Sequence, residues 1–256
     1  MSAMPVSHRS RGAVLGMQLA IVALLLVVWE YSADRFVDEL LVSRPSAVWR
    51  RFVALWSTGR VADATLATTA VALWGLFWGT LAGAAAGVLT ALSRRAYAVL
   101  GPVFDALFAV PKIALVPLFI LWFGISATQR TIFTASVVFF FIFYATYNGV
   151  KRVPRSLENT LRLLDASLLD RVRLLYLPAS LGWILGGMRI ATPYAFVSAV
   201  SAEIVASREG LGSLVKLSGS MLDIPGMFVG IVAATAVAVV SGAIIAGLDG
   251  MWHRRL

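Results

Sequence analysis

The sequence predicts an all-α integral membrane protein with six transmembrane helices and one amphipathic helix on the inner side, and three observations carry that reading. Hydrophobic residues make up 59% of the 256 and charged residues 14%, with a mean hydropathy of +0.84, whereas a soluble domain is about 25% charged. Several apolar runs reach the ~20 residues that cross a bilayer as a helix. Between the fourth and fifth of these lies a charged stretch, residues 157–178, whose leucines keep helical spacing.

The composition also excludes functions. With no cysteine, the chain has no disulfide, thiolate metal site or cysteine nucleophile, and its two histidines, His8 and His253, stand at opposite ends. A net charge of +9 would suggest nucleic acid in a soluble protein. Here the basic residues fall beside apolar runs, where they set orientation, so no nucleic-acid partner is expected. Lys112, Lys151 and Lys216 are followed by Ile, Arg and Leu, which rules out a phosphate-binding loop ending in Lys-Ser or Lys-Thr. Gly-x-Ser-x-Gly and His-Glu-x-x-His are absent too.

In chain order, HRSR at 8–11 precedes an apolar run from Gly12 to Trp29, the first span. Tyr31-Ser32-Ala33 lacks the small residue three before a cleavage point, so this run is a retained anchor with the amino terminus inside. Residues 34–63 are polar, and SRPSAVWRRFVALWSTGR gives a short amphipathic helix after Pro45 on the outer surface. Span two, from about Thr65 to Leu92, carries Gly75, Gly79, Gly83 and Gly87, small residues that let helices approach closely. A four-residue spacing winds by about 40° a step, which suits a crossing partner. Span three, from about Tyr97 to Phe123, holds Pro102, Pro111 and Pro117. It must be broken, because proline removes a donor and frees carbonyls, and at membrane depth this is tolerated only beside protein or a water-filled cavity. Span three is therefore a candidate to line a pathway. Span four, about Thr131 to Val150, is rich in aromatic rings, and Lys151, Arg152 and Arg155 mark its inner end. Span five covers about Ala179 to Ala206 and span six about Met227 to Leu248, with an outer loop between them and His253-Arg254-Arg255 inside. This arrangement puts twelve of the 22 Lys and Arg inside, eight outside and two within spans, as the positive-inside rule requires.

In LENTLRLLDASLLDRVRLLYLP, residues 157–178, the residues Leu157, Leu161, Leu164, Leu168, Val172 and Leu175 recur at intervals of three and four, one apolar stripe on a helix. Charged residues decorate the rest, and Pro178 starts a new helix. The stretch resembles the cytoplasmic coupling segment of permease subunits of ATP-binding-cassette importers, whose pattern is Glu-Ala-Ala, three residues, Gly, and later Leu-Pro. Leu177-Pro178 and Ala166-Ser167 set a register that puts Asn159, Thr160 and Leu161 at the Glu-Ala-Ala positions, with Glu158 beside them, and Asp165 at the glycine. That glycine makes a turn between two short helices, and Asp tolerates such turns better than most residues. VPKIALVPLFILWFG, residues 110–124, is similar to the same region in permeases of the nitrate, taurine, aliphatic-sulfonate and bicarbonate group, and GMRI at 187–190 and AE at 202–203 fit its fifth span. The other reading of 157–178 is a plain interfacial helix between spans.

Four ionisable residues lie within the spans: Asp105 and Lys112 on span three, Arg189 and Glu203 on span five. Charges in lipid cost ~2.5–3.5 kcal/mol on insertion scales and so face protein or water. Asp105 and Lys112 are two turns apart, on one face, and could pair. Either Arg189 or Lys112 draws an anionic solute through the membrane, or all four make structural pairs.

The resemblance implies a type I importer permease fold: an N-terminal span and external segment at 1–64, then a five-helix core at 65–256 containing the coupling segment, 154–178. It also implies a bacterial inner-membrane location with both termini cytoplasmic. The expected partners are two cytoplasmic ATPases, a second permease copy, an external solute-binding protein and membrane lipid. This chain would bind no cofactor, ATP and magnesium being held by the ATPases. Glu158, Leu161, Leu164, Asp165, Ala166, Ser167, Leu168 and Pro178 would form the coupling contact, with Leu161, Leu164 and Leu168 anchored on the bundle. The competing class is a secondary transporter, whose paired broken helices find only a weak echo of span three in span five, at Pro193.

Overall fold

In a computed structural model, residues 8–33 and 42–253 are described, and every regular element among them is a helix. Helix α1 spans His8–Ser32 and α2 Pro45–Ser57. A left-handed turn at Gly59 (φ 76°) leads into α3, Arg60–Leu92, which starts five residues earlier than the apolar run alone indicates. The third span is indeed broken. Helix α4, Arg94–Ala109, is separated from α5, Val116–Phe123, by a 3-10 turn at Lys112–Leu115, and the two pieces meet at 90°. Of the three prolines only Pro111 makes the break: Pro102 is carried inside α4 and Pro117 sits in the first turn of α5, where its missing N–H has no partner to lose. Helix α6 is Ala127–Lys151, α7 Arg155–Leu163, α8 Leu168–Arg171, α9 Leu177–Ala206, α10 Leu211–Ser220 and α11 Ile224–His253.

Four stretches are continuous and apolar enough to cross a membrane: α3, α6, the run from Leu168 to Ala206, and α11. The bent pair α4–α5, counted as one span, makes a fifth, and the expected first span appears as a shorter apolar helix, Gly16–Ser32 of α1. The Asp34–Leu41 part of the polar segment and the Arg254-Arg255 signal lie outside the described residues.

The glycine ladder sets the centre of the bundle. A Cβ on Gly79 would come 2.7 Å from Ala135 O and Val138 Cβ, and one on Gly87 2.7 Å from Thr146 Cβ, closer than real side chains approach. Gly75, Gly79, Gly83 and Gly87 meet, in turn, Thr134, Val138, Ile142 and Thr146. Both stripes advance by four, so α3 and α6 run in the same direction and wind together over twelve residues, ~18 Å, rather than crossing at one point. Against them α9 runs the opposite way, with Gly187 on Ala145 and Gly149 on Trp183. The core formed here contains Val71, Ala72, Leu76, Val138, Ile142, Ile184, Ala195 and Phe196. These directions give the bundle two ends: a loop end, with α2, α10 and the start of α3, and a hairpin end, with α7 and α8.

Candidate functional site

The hairpin end is built by local stop and start signals. Helix α7 closes with Asp165 N–H donating to Arg162 O (3.1 Å) and Ala166 N–H to Leu161 O (3.0 Å), while Asp165 takes φ 52°. That pair of bonds is a Schellman closure, whose left-handed position usually goes to glycine. Asp165 fills it, as expected of a residue type that visits the left-handed region. Two residues on, Ser167 accepts from Asp170 N–H (3.2 Å), and the Asp170 carboxylate accepts from Ser167 N–H (3.0 Å). This capping box starts α8. A π turn, Val172–Tyr176, then carries the chain into α9 without a gap, and Pro178 falls in the first turn of α9. The wider turn accommodates a proline ring that would crowd an α-helical carbonyl.

This geometry corrects the single stripe read from 157–175. The left-handed turn divides the segment, so its leucines do not share one face. Leu161 is half-buried, but Leu164 and Leu168 are 72% and 55% exposed, and Leu163 85%. The anchor on the bundle consists instead of Tyr176 with Val88, Ala91 and Val150, backed by Val153, Val172 and Leu175. Glu158 faces the hairpin itself, accepting from Arg162 (2.6 Å) and lying 3.7 Å from Arg171. The Arg162 bond, first among these, holds its carboxyl below the usual range. Asp165, Ala166 and Ser167 form the tip, and Asp165 and Ser167 are exposed.

Of the four charges in the spans, the structure joins none to another. Lys112 and Asp105 do not pair. The Lys112 ammonium donates to the carbonyls of Leu107, Phe108 (3.1 Å) and Val110 (3.2 Å) and lies 4.6 Å from the Phe140 ring centroid. The break at Pro111 orphans these carbonyls, and Lys112 satisfies them; it caps a helix end rather than presenting a free cation to solute. Asp105 accepts from the Tyr144 hydroxyl.

Glu203, another pathway candidate, is buried (0% exposed) and lines no open route. Thr68 Oγ1 donates to it (2.9 Å), Gly212 N–H donates (2.9 Å), and the Arg130 guanidinium lies 3.8 Å away. Thr68 in turn accepts from Leu211 N–H (2.8 Å), and Arg130 donates to Ser207 Oγ (2.6 Å) and Glu209 O (3.1 Å). A Cβ on Gly210 (φ 95°) would land on the Glu203 carboxylate, so only glycine lets the loop fold over it. Arg130 escapes sequence reading because the apolar run starts at Thr131, which makes the arginine look like a loop residue. The helix starts at Ala127 and Arg130 is buried.

Arg189 is exposed, makes no hydrogen bond or ion pair to a described residue, and borders a groove of 770 Å³ between α9 and α11 with Ser201 and Thr235. A larger groove, 1060 Å³, runs between α6 and α9 towards the hairpin end, lined by Phe108, Tyr144, Asn148, Trp183 and Asp249 among others, with Pro178 at its edge. None of the charged residues singled out in the spans faces it. Gly186 faces open space there, a Cβ on it meeting nothing within 4 Å.

Residues 75–256 match the family model described as binding-protein-dependent transport system inner membrane component. The chain is 31% identical over 94% of its length to the riboflavin transport system permease protein of Chloroflexus aurantiacus, covering 90% of that protein. It is 27% identical over 90% of its length to the taurine transport system permease protein of Escherichia coli K12, covering 85%. Its fold matches a chain of the MetNI methionine ABC transporter in an inward-facing conformation, with TM-score 0.69 and 16% identity over 77% of this chain and 97% of that one. A buried glycine seam, a broken span and an exposed two-helix hairpin thus lie within the matched region, and the chain belongs to the binding-protein-dependent inner-membrane permeases of ATP-binding-cassette importers.

Proposed function

We propose that the hairpin at 155–171 is the contact through which two cytoplasmic ATPase subunits drive this permease, and the observation that carries it is the exposed leucine group on a rigidly capped tip. Leu163, Leu164, Leu168 and Leu169 are all more than half exposed. An apolar patch of that kind on a polar, arginine-bearing hairpin fits a groove on a soluble partner. Closure of the ATPases on ATP and magnesium would draw two such hairpins together and rock the bundles from inward-open to outward-open. This reading pairs the chain with a second copy of itself, puts the hairpin and both termini in the cytoplasm, and brings solute from an external binding protein to the loop end. Residues 1–64 act as an accessory anchor and 65–256 as the transport core.

For the solute, an anion remains the proposal, and Arg189 alone supports it, since Lys112 is occupied by carbonyls and Glu203 and Asp105 by other partners. Arg189→Gln is expected to lower transport while assembly persists; unchanged transport at normal expression leaves the anion without a carrier. The coupling is tested by Ala166→Asp, which adds charge at the tip and touches no core residue. Co-purification of the ATPases or their solute-stimulated rate should fall severalfold, and wild-type values for both would sink the assignment.

A further inference from the structure

Helix α2 lies outside the residues matched by the family model, and it carries two apolar stripes. Val48, Phe52 and Leu55 pack into a cluster with Val61, Leu211, Leu214 and Val229. About 100° round the helix a second stripe, Trp49, Val53 and Trp56, covers nothing: its members are 65%, 49% and 57% exposed. Phe52 joins the stripes, its ring 5.6 Å from each tryptophan. Arg50 is exposed on the next face round, and Arg51 fastens the helix to Asp223 at the start of α11 (2.7 Å). Three apolar helices end or begin beside α2, two of them, α3 and α11, long and apolar enough to cross a membrane. Trp29 of α1 packs on Phe228 of α11 (5.0 Å), Glu30 accepts from Ser46 N–H (3.0 Å), and the turn at Gly59 opens α3.

We infer that α2 lies in the membrane surface at the loop end, with Trp49, Val53 and Trp56 sunk at the boundary between headgroups and acyl chains and Arg50 reaching lipid phosphate. Its level is fixed by the ends of α1, α3 and α11, so the stripe meets the edge of the bilayer rather than its centre or bulk water. Tryptophan is the side chain enriched at that level, because its ring is apolar and its N–H polar. An arginine beside it can hold its stem in the apolar layer and its charge among phosphates. A helix so placed sits about 5–10 Å into the boundary.

The chain has no cysteine, so single sites report cleanly. Val53→Cys and Ala54→Cys, a residue apart and ~100° round the helix, would be spin-labelled in the full chain reconstituted in phosphatidylglycerol and phosphatidylethanolamine vesicles. Collision with oxygen, which concentrates in lipid, is compared with collision with a water-soluble nickel chelate. The expected result is a severalfold higher oxygen-to-nickel ratio at 53 than at 54. Equal, high nickel access at both sites overturns the inference by putting the stripe in water, where a soluble protein would meet it. Shielding of 53 from both reagents overturns it in favour of a second copy. Trp49→Ser with Trp56→Ser, in the Val53→Cys background, should lower the ratio at 53 if the rings hold the helix at that depth; an unchanged ratio removes them from the role.

Discussion

At the loop end Glu203 is fully buried and enclosed by Thr68, Gly212 and Arg130, drawn from three helices; at the hairpin end Leu163 and Leu164 stand open to the surroundings while Glu158 binds Arg162 of its own hairpin. One end buries charge and the other exposes apolar surface, the reverse of what stability alone would favour. The loop end is held by a network in which each polar group satisfies the next, so it resists rearrangement. The hairpin end is stiffened by caps, yet Leu163, Leu164, Leu168 and Leu169 stay more than half exposed. On the proposed coupling, the first end is a fixed corner and the second a lever for the ATPases.

The largest effect should come from opening the fixed corner. Arg130→Ala removes the one guanidinium near Glu203 among the described residues and leaves a buried carboxylate with hydrogen-bond donors but no countercharge. Breaking a buried pair in this way typically costs about 3–5 kcal/mol, so thermal unfolding of the detergent-solubilised chain should drop sharply. Adding Glu203→Gln should recover part of that loss, because the charge goes with it. No change in unfolding for Arg130→Ala would mean that Thr68 and Gly212 suffice, and the contrast between the two ends would lose its basis.

Truncating the lever should do the opposite. Leu163→Ser with Leu164→Ser removes exposed groups, so the unfolding temperature of the permease alone should stay within about 0.5 kcal/mol of equivalent stability. Binding to the ATPases should weaken severalfold if those side chains enter a partner groove. A stability loss as large as that of Arg130→Ala would show that the leucines are already buried against the chain itself.

What the sequence reveals of these two ends follows from the range of each signal. Proline chemistry, helical period and glycine spacing act over one or two turns, so a break in span three, the close packing of the α3 glycine ladder and the turn at Asp165 are legible, but not that the ladder's partner is α6. The pairing of Arg130 with Glu203 joins residues on different helices and depends on where α6 begins, which an apolar run places four residues late. The leucine stripe misleads for a related reason: its spacing is continuous in sequence, but the left-handed residue in its middle rotates the second half. Lys112 is the most instructive case. Depth in a span marks it as costly and therefore purposeful, and only the freed carbonyls of Leu107, Phe108 and Val110 reveal that its purpose is to cap.

The smallest expected effect concerns Glu158, the ion-paired residue of the lever. It bonds Arg162 one turn along α7 and lies near Arg171 of α8, so it ties the hairpin's two arms together. Ion pairs at the surface contribute about 0–1 kcal/mol, and Glu158→Gln should cost no more than that. The pH dependence gives a sharper readout. Because the folded carboxyl titrates below its ordinary value of 4.5, chiefly through Arg162, the unfolded chain takes up the proton first as pH falls. The contribution of Glu158 is therefore complete above pH ~4.5 and is lost progressively below it. Melting curves of wild type and Glu158→Gln should differ slightly at pH 7 and draw together as pH falls below ~4.5. Curves that stay equally far apart across that range would show that Glu158 acts through packing rather than charge, and the hairpin would then owe its stiffness to the Schellman closure and the Ser167–Asp170 box alone.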